Sequence, residues 1–106
     1  MAEVKLARAS DVGPGALLTY TLVDGKKVAL TRAGEQFFAF EDRCSHDDGE
    51  LSSGKLEPDF QVECPRHGAR FDIRNGRATR MPAVAPIATY QVDAAGGEIW
   101  LELPEG

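Results

Sequence analysis

Apolar and polar residues alternate along most of this chain, and the stretch where the alternation fails is as informative as those where it runs. In "ALLTYTLVDGKKVALTR", Leu18, Tyr20 and Leu22 share one face, an Asp24-Gly25 turn signal follows, and Val28 and Leu30 resume the period of two. That pattern predicts a hairpin, and residues 1 to 40 together read as antiparallel strands. "EQFFAFED" continues it after Gly34, with Phe38 and Phe40 on one face. The carboxyl-terminal "PIATYQVDAAGGEIWLELP" repeats the device: a Gly-Gly turn separates two strands, the second carrying Ile99, Leu101 and Leu103 on one side. Trp100 falls on the opposite face with Glu98 and Glu102, where packing under a neighbouring strand is expected. No amphipathic helix longer than a turn or two is visible. The fold class predicted is all-β, an antiparallel sandwich or barrel.

Between Asp42 and Pro86 the alternation weakens, and Gly49, Gly54, Gly68, Gly76, Pro58, Pro65 and Pro82 punctuate the chain at short intervals. This segment reads as mostly loop, with "SSGKLEPDF" and "RNGRAT" as turns. A loop-rich insert of such length inside a compact domain calls for an organiser, either function or a bound ligand. The chain holds two cysteines and two histidines, and all four lie in this insert: Cys44 and His46 in "RCSHDDGE", Cys64 and His67 in "ECPRHGARFD".

Bulk properties narrow the setting. The 106 residues fit a single domain, 1–106, large enough to bury roughly two thirds of its unfolded surface without staples. A hydrophobic content of 42% with 27% charged residues is ordinary for a globular protein. The amino-terminal "MAEVKLARASD" has no apolar run of signal-peptide length, so a cytoplasmic location is expected, where thiols stay reduced and a disulfide is disfavoured. A net charge of -5 argues against nucleic acid or an anionic membrane as partner and leaves other proteins. The charge is uneven: residues 41 to 50 are dominated by acids, whereas residues 64 to 80 carry Arg66, Arg70, Arg74, Arg77 and Arg80 against Asp72. Either these form a solvated face with mutual ion pairs or they steer a partner.

Two thiolates and two imidazoles converging on one point could ligate zinc. Structural zinc sites, however, usually close a sulfur pair on one metal through C-x-x-C-like knuckles, and here each pair mixes one sulfur with one nitrogen. The arrangement C-x-H and C-x-x-H also suits a two-iron cluster, if each loop gives its cysteine to one iron and its histidine to the other.

"CSH", then residues 47 to 63, then "CPRHG" resembles the Rieske signature, and "CPRHGARFD", "LSSGKL", "MPAVAP" and the closing strands extend the resemblance over nearly the whole chain. Within that family the chain is most similar to the soluble Rieske ferredoxins that serve aromatic ring-hydroxylating dioxygenases. The resemblance implies a Rieske fold, a β-sandwich or barrel base carrying a loop-rich cluster-binding subdomain at about residues 42–86, and one 2Fe-2S cluster. It implies that Cys44 and Cys64 hold the buried iron, and His46 and His67 the outer one. Respiratory-complex members carry one further cysteine in each loop, joined as a disulfide. Here those places read Asp48 or Gly49, and Arg66, so stiffness must come from the proline loop and from backbone hydrogen bonds.

Both histidines being committed to the cluster, the chain cannot also build the two-histidine, one-carboxylate iron site of a terminal oxygenase, and it lacks a Gly-rich dinucleotide fingerprint. The expectation is an electron-transfer protein and not an enzyme, taking electrons from a flavin-dependent reductase and delivering them to a terminal oxygenase. The alternatives are a Rieske small subunit or interaction domain of another complex, such as an assimilatory nitrite reductase, and a zinc-bound structural domain.

Overall fold

The computed structural model describes residues 2–22, 25–44, 49–57, 59–65, 68–81 and 85–103. Ten strands run through them: β1 (Ala2–Arg8), β2 (Leu17–Thr21), β3 (Lys27–Ala33), β4 (Gln36–Glu41), β5 (Lys55–Glu57), β6 (Gln61–Glu63), β7 (Arg70–Asp72), β8 (Ala78–Arg80), β9 (Thr89–Ala95) and β10 (Glu98–Leu103). The other regular elements are two single 3₁₀ turns, Ala9–Asp11 and Leu51–Ser53. The all-β expectation holds.

Six strands form one antiparallel sheet in the order β1-β10-β9-β4-β3-β2. Its register follows the sequence pattern. Leu18 lies opposite Leu30 and Tyr20 opposite Val28, and Leu30 in turn faces Ala39. All of these, with Ile99, Leu101, Tyr90 and Val92, pack into one hydrophobic cluster that also takes Leu6 and Ala7 from β1. Because β1 and β2 are the two edges of the sheet yet contribute to the same cluster, the sheet must curl around it as an open barrel. Gly96 and Gly97, at φ of 62° and 77°, make the tight β9–β10 turn that only residues tolerant of the left-handed region supply readily. Asp24 of the other expected turn lies outside the described residues, while Leu22 and Gly25 close around it through Gly25 N–H donating to the Leu22 carbonyl at 2.9 Å.

The segment 42–86, expected to be mostly loop with "SSGKLEPDF" and "RNGRAT" as turns, holds short strands as well. It contains a second antiparallel sheet, β5-β6-β7-β8, whose strands are three residues each. Three residues show at most one and a half periods of alternation, so the pattern had nothing to register there. "SSGKLEPDF" therefore includes β5, and "RNGRAT" ends inside β8.

This second sheet packs on the outer face of β2–β4. The face that carries Phe38 and Phe40 does not turn towards the barrel: together with Leu17 and Ala29 it meets Leu56, Val62, Phe71, Ala78 and Ile87 in a separate cluster. β3 is thus covered on both sides, with Val28, Ala29, Leu30 and Thr31 all fully buried. Trp100 is half-buried, in register with Lys5 on β1 and Asp93 on β9, and stands on the face away from Ile99 and Leu101.

Candidate metal centre

Both cysteines belong to the cluster between the two sheets. Cys44 is 0% and Cys64 1% exposed, among Leu51, Ala69, Phe71 and Ile73, and neither is in a disulfide. Each begins a short segment closed in the same manner. Cys44 N–H donates to the Gly49 carbonyl at 2.8 Å, and Cys64 N–H donates to the Ala69 carbonyl at 2.7 Å, so each cysteine is tied to the residue five positions on. Gly68 N–H adds a bond of 3.1 Å to the Cys64 carbonyl, and Gly68 takes a φ of 75° to make it. Here are the backbone hydrogen bonds expected to stiffen loops that lack a disulfide.

The second loop grows from a hairpin. β6 and β7 pair through Gln61–Asp72, Val62–Phe71 and Glu63–Arg70, and Cys64 and Ala69 are the next residues out. Among its described residues the first loop has no such ladder: β4 pairs with β3 and β9, and beyond Gly49 the chain enters the 3₁₀ turn Leu51–Ser53. Its ends are joined by a side chain instead. Asp42, 3% exposed, accepts the Ser52 N–H at 2.7 Å on Oδ1 and the Ser52 hydroxyl at 2.6 Å on Oδ2. Thr19 Oγ1 of β2 stands 2.8 Å from the same Oδ2 and 2.6 Å from Ser52 Oγ. Sequence reading counted Asp42 only as one acid in a charged run; nothing in "FEDRC" distinguishes the buried carboxylate from its exposed neighbours.

The arginine series is largely paired where it stands. Glu63 accepts Arg70 Nε at 2.8 Å and lies 3.5 Å from Arg80, and Asp72 takes Arg74 through both Nε at 3.0 Å and a terminal amino group at 2.7 Å. The Arg74 guanidinium also covers the Phe60 ring at 4.7 Å. The Arg70 side-chain bond holds the Glu63 carboxyl below the usual carboxylate range against its partial burial, with Arg80 and Lys55 adding to it. Asp72 is lowered chiefly by the side-chain bond from Arg74, and Arg74 is raised in return. Mutual ion pairing therefore accounts for Arg70, Arg74 and Arg80. Met81, 73% exposed at the end of β8, is the exposed large hydrophobic residue among those described.

His46 and His67 lie outside the described residues, as do Arg66, Asp48 and Pro82. The described residues bring together Cys44 and Cys64, half of the expected ligand set. Two buried cysteines in one apolar cluster suit thiolates whose charge a metal cofactor neutralises, and that donor set fits either a 2Fe-2S cluster or zinc.

The Rieske [2Fe-2S] domain profile matches residues 2–91. The chain belongs to the Rieske family. Over 78 residues, 74% of each chain, it is 46% identical to the 3-phenylpropionate/cinnamic acid dioxygenase ferredoxin subunit of Escherichia coli (strain K12). In three dimensions it is similar to the ferredoxin of carbazole 1,9a-dioxygenase from Nocardioides aromaticivorans IC177, with a TM-score of 0.90 and 33% identity over 95% of this chain and 97% of that one. A chain from the complex of reduced oxygenase and oxidized ferredoxin in carbazole 1,9a-dioxygenase aligns with a TM-score of 0.88 and 34% identity, over 93% of this chain and 91% of that chain. As a Rieske ferredoxin the protein is a 2Fe-2S electron carrier and not an enzyme. Among the described residues no helix is long and apolar enough to cross a membrane.

Proposed function

We propose that this Rieske ferredoxin is the one-electron shuttle of a ring-hydroxylating oxygenase system, reduced by a flavin-dependent reductase and oxidised by a terminal oxygenase, and that residues 1–106 act as one domain. The observation that carries the reading is the burial of both signature cysteines in one cluster, in a chain 46% identical to a dioxygenase ferredoxin subunit. Cys44, His46, Cys64 and His67 are the ligands in this reading. When bound, the cluster supplies reversible one-electron redox chemistry at a potential raised by its two neutral imidazole ligands. The chain's own part is positional. The Cys44–Gly49 and Cys64–Ala69 bonds fix the sulfur-bearing residues, and Phe71, Leu51 and Ile73 keep water from them. A rigid, dry site changes little between oxidation states, which favours fast transfer to a partner held only briefly.

The test is reconstitution. Product formation by a flavin-dependent reductase and a terminal oxygenase should depend on added carrier, and the purified protein should contain about two irons and two sulfides per chain, as a Rieske centre does. His67→Ala should bleach the visible spectrum. Stoichiometric zinc without sulfide would overturn the ligand assignment, and stable copurification with a large reductase subunit would favour a small-subunit role over that of a shuttle.

A further inference from the structure

The two cluster loops are anchored by different means, and the difference assigns a role to a residue outside the ligand set. The second loop sits on the β6–β7 ladder, so its ends are joined by paired backbone and by the Glu63–Arg70 ion pair. The first loop leaves β4 and returns into a 3₁₀ turn, and among the described residues the backbone bond across it is that of Cys44 to Gly49. What stands in place of the missing ladder is the Asp42 carboxylate. It takes both the amide and the hydroxyl of Ser52, and Thr19 binds the pair to β2. Asp42 N–H in turn donates to the Lys27 carbonyl at 3.0 Å, which secures the carboxylate's own backbone to β3.

We infer that Asp42 is a positioning residue for the metal centre: a buried side-chain staple that closes the mouth of the first cluster loop and holds Cys44 against its iron. The inference rests on the proposed role of Cys44 as a ligand. A buried carboxylate is costly unless it is hydrogen-bonded, and here one amide reaches Oδ1 and two hydroxyls reach Oδ2. Ser52 follows Leu51, which is fully buried in the same cluster as Cys44, so release of Ser52 loosens a residue of the core that encloses the cysteine. In this reading the network acts on the metal through Cys44.

The experiment compares cluster loss from holoprotein, followed as the decay of visible absorbance with an iron chelator present. Asp42→Ala and Ser52→Ala should lose the cluster about tenfold faster than wild type, the scale on which outer-shell partners of a metal commonly act. Asp42→Asn retains the acceptor for the Ser52 amide and should fall between. Leu101→Ala, a cavity in the other hydrophobic cluster, should lower Tm at least as much while leaving the decay rate near wild type. The staple is overturned if Asp42→Ala, or Ser52→Ala where the aspartate variant does not fold, loses iron no faster than Leu101→Ala. Cys44→Ala separates the two ideas: a full visible spectrum in that variant would overturn the ligand assignment and the staple together, whereas a bleached Cys44→Ala beside a slow Asp42→Ala overturns the staple alone.

Discussion

Ala69 and Phe71 are both fully buried in the cluster that contains the two cysteines. High-potential members of the family resemble this stretch but place serine and tyrosine at these positions, where the hydroxyls donate to cluster sulfurs. A hydroxyl introduced at either site is shielded from water and must find its acceptor inside. A hydrogen bond to a charged acceptor is worth about 1.5–3 kcal/mol, and about 1.4 kcal/mol corresponds to about 59 mV for one electron. Only the difference between oxidation states counts, so Ala69→Ser and Phe71→Tyr should each raise the reduction potential by some tens of millivolts up to roughly a hundred, read by protein-film voltammetry. The wild-type value should sit near the low end of the Rieske range, about -150 mV. No upward shift in either variant would remove these hydroxyls from the account of the potential. Asp72 gives a second outcome at this scale. Its folded-state pKa is depressed by Arg74, so the pair adds stability that is fully present above the ordinary aspartate pKa and is lost as pH falls through the lower folded value. The Tm gap between wild type and Asp72→Asn should be constant near neutrality and close below about pH 4. Scarcity made the proposed ligand residues legible: two cysteines and two histidines in paired spacing stand out in any reading. Asp42 did not stand out, because its burial is decided by Thr19 and Ser52, which lie 23 and 10 residues away in the chain.

Long strands announced themselves and short ones did not. Leu18, Tyr20, Val28 and Leu30 give two full periods of alternation on each arm of a hairpin, and the structure pairs them as the pattern required. β5 to β8 show a single inward residue or two apiece, such as Val62 or Phe71, and are ordered by what lies beneath them. The β5–β6 turn goes further against local preference. Asp59 and Phe60 take φ of 68° and 60°, and the Phe60 ring is held in place between Phe38, edge-on at 5.6 Å, and Arg74. Tertiary contact thus selects a backbone that "EPDF" would not choose alone. Gly54 is the element-scale counterpart of Asp42. It ends the 3₁₀ turn that carries Ser52, and a Cβ there would lie 1.9 Å from the Glu63 carbonyl oxygen, immediately before Cys64. Gly54→Ala must push the turn and β6 apart, at a cost of about 1–3 kcal/mol, with each kcal/mol lowering Tm by about 4–8 °C in a domain of this size. Gly13→Ala, with nothing within 4 Å of the new methyl, should change Tm little. Equal melting of the two variants would show that the turn and β6 have room to separate.

At the scale of the molecule, β2–β4 serve two cores at once. One face closes the barrel with Val28, Leu30, Ala39, Ile99 and Leu101; the other carries Ala29 and Phe40 against the sheet that holds both cysteines. Alternation alone identified the first face and could not say that the second is covered, since Phe38 and Phe40 fit a barrel interior equally well by period. The double use of β3 and β4 has a thermodynamic consequence. The barrel cluster includes neither cysteine, whereas the second cluster is built around both, from four strands of three residues that bury little area of their own. Metal binding and folding free energy are coupled where the ligands lie within the core they complete. Removal of the cluster should therefore open the second sheet without unfolding the first, as a local unit of lower stability. Hydrogen exchange on the apoprotein should show protection lost in β5 to β8 and around Cys44, with the amides of β9 and β10 and the β3 amides bonded to β2 still slow. Restoring iron and sulfide should return protection to the second sheet. Uniform loss across both sheets would show that β2–β4 couple the two cores into one cooperative unit, and that the barrel does not stand without the metal centre it carries.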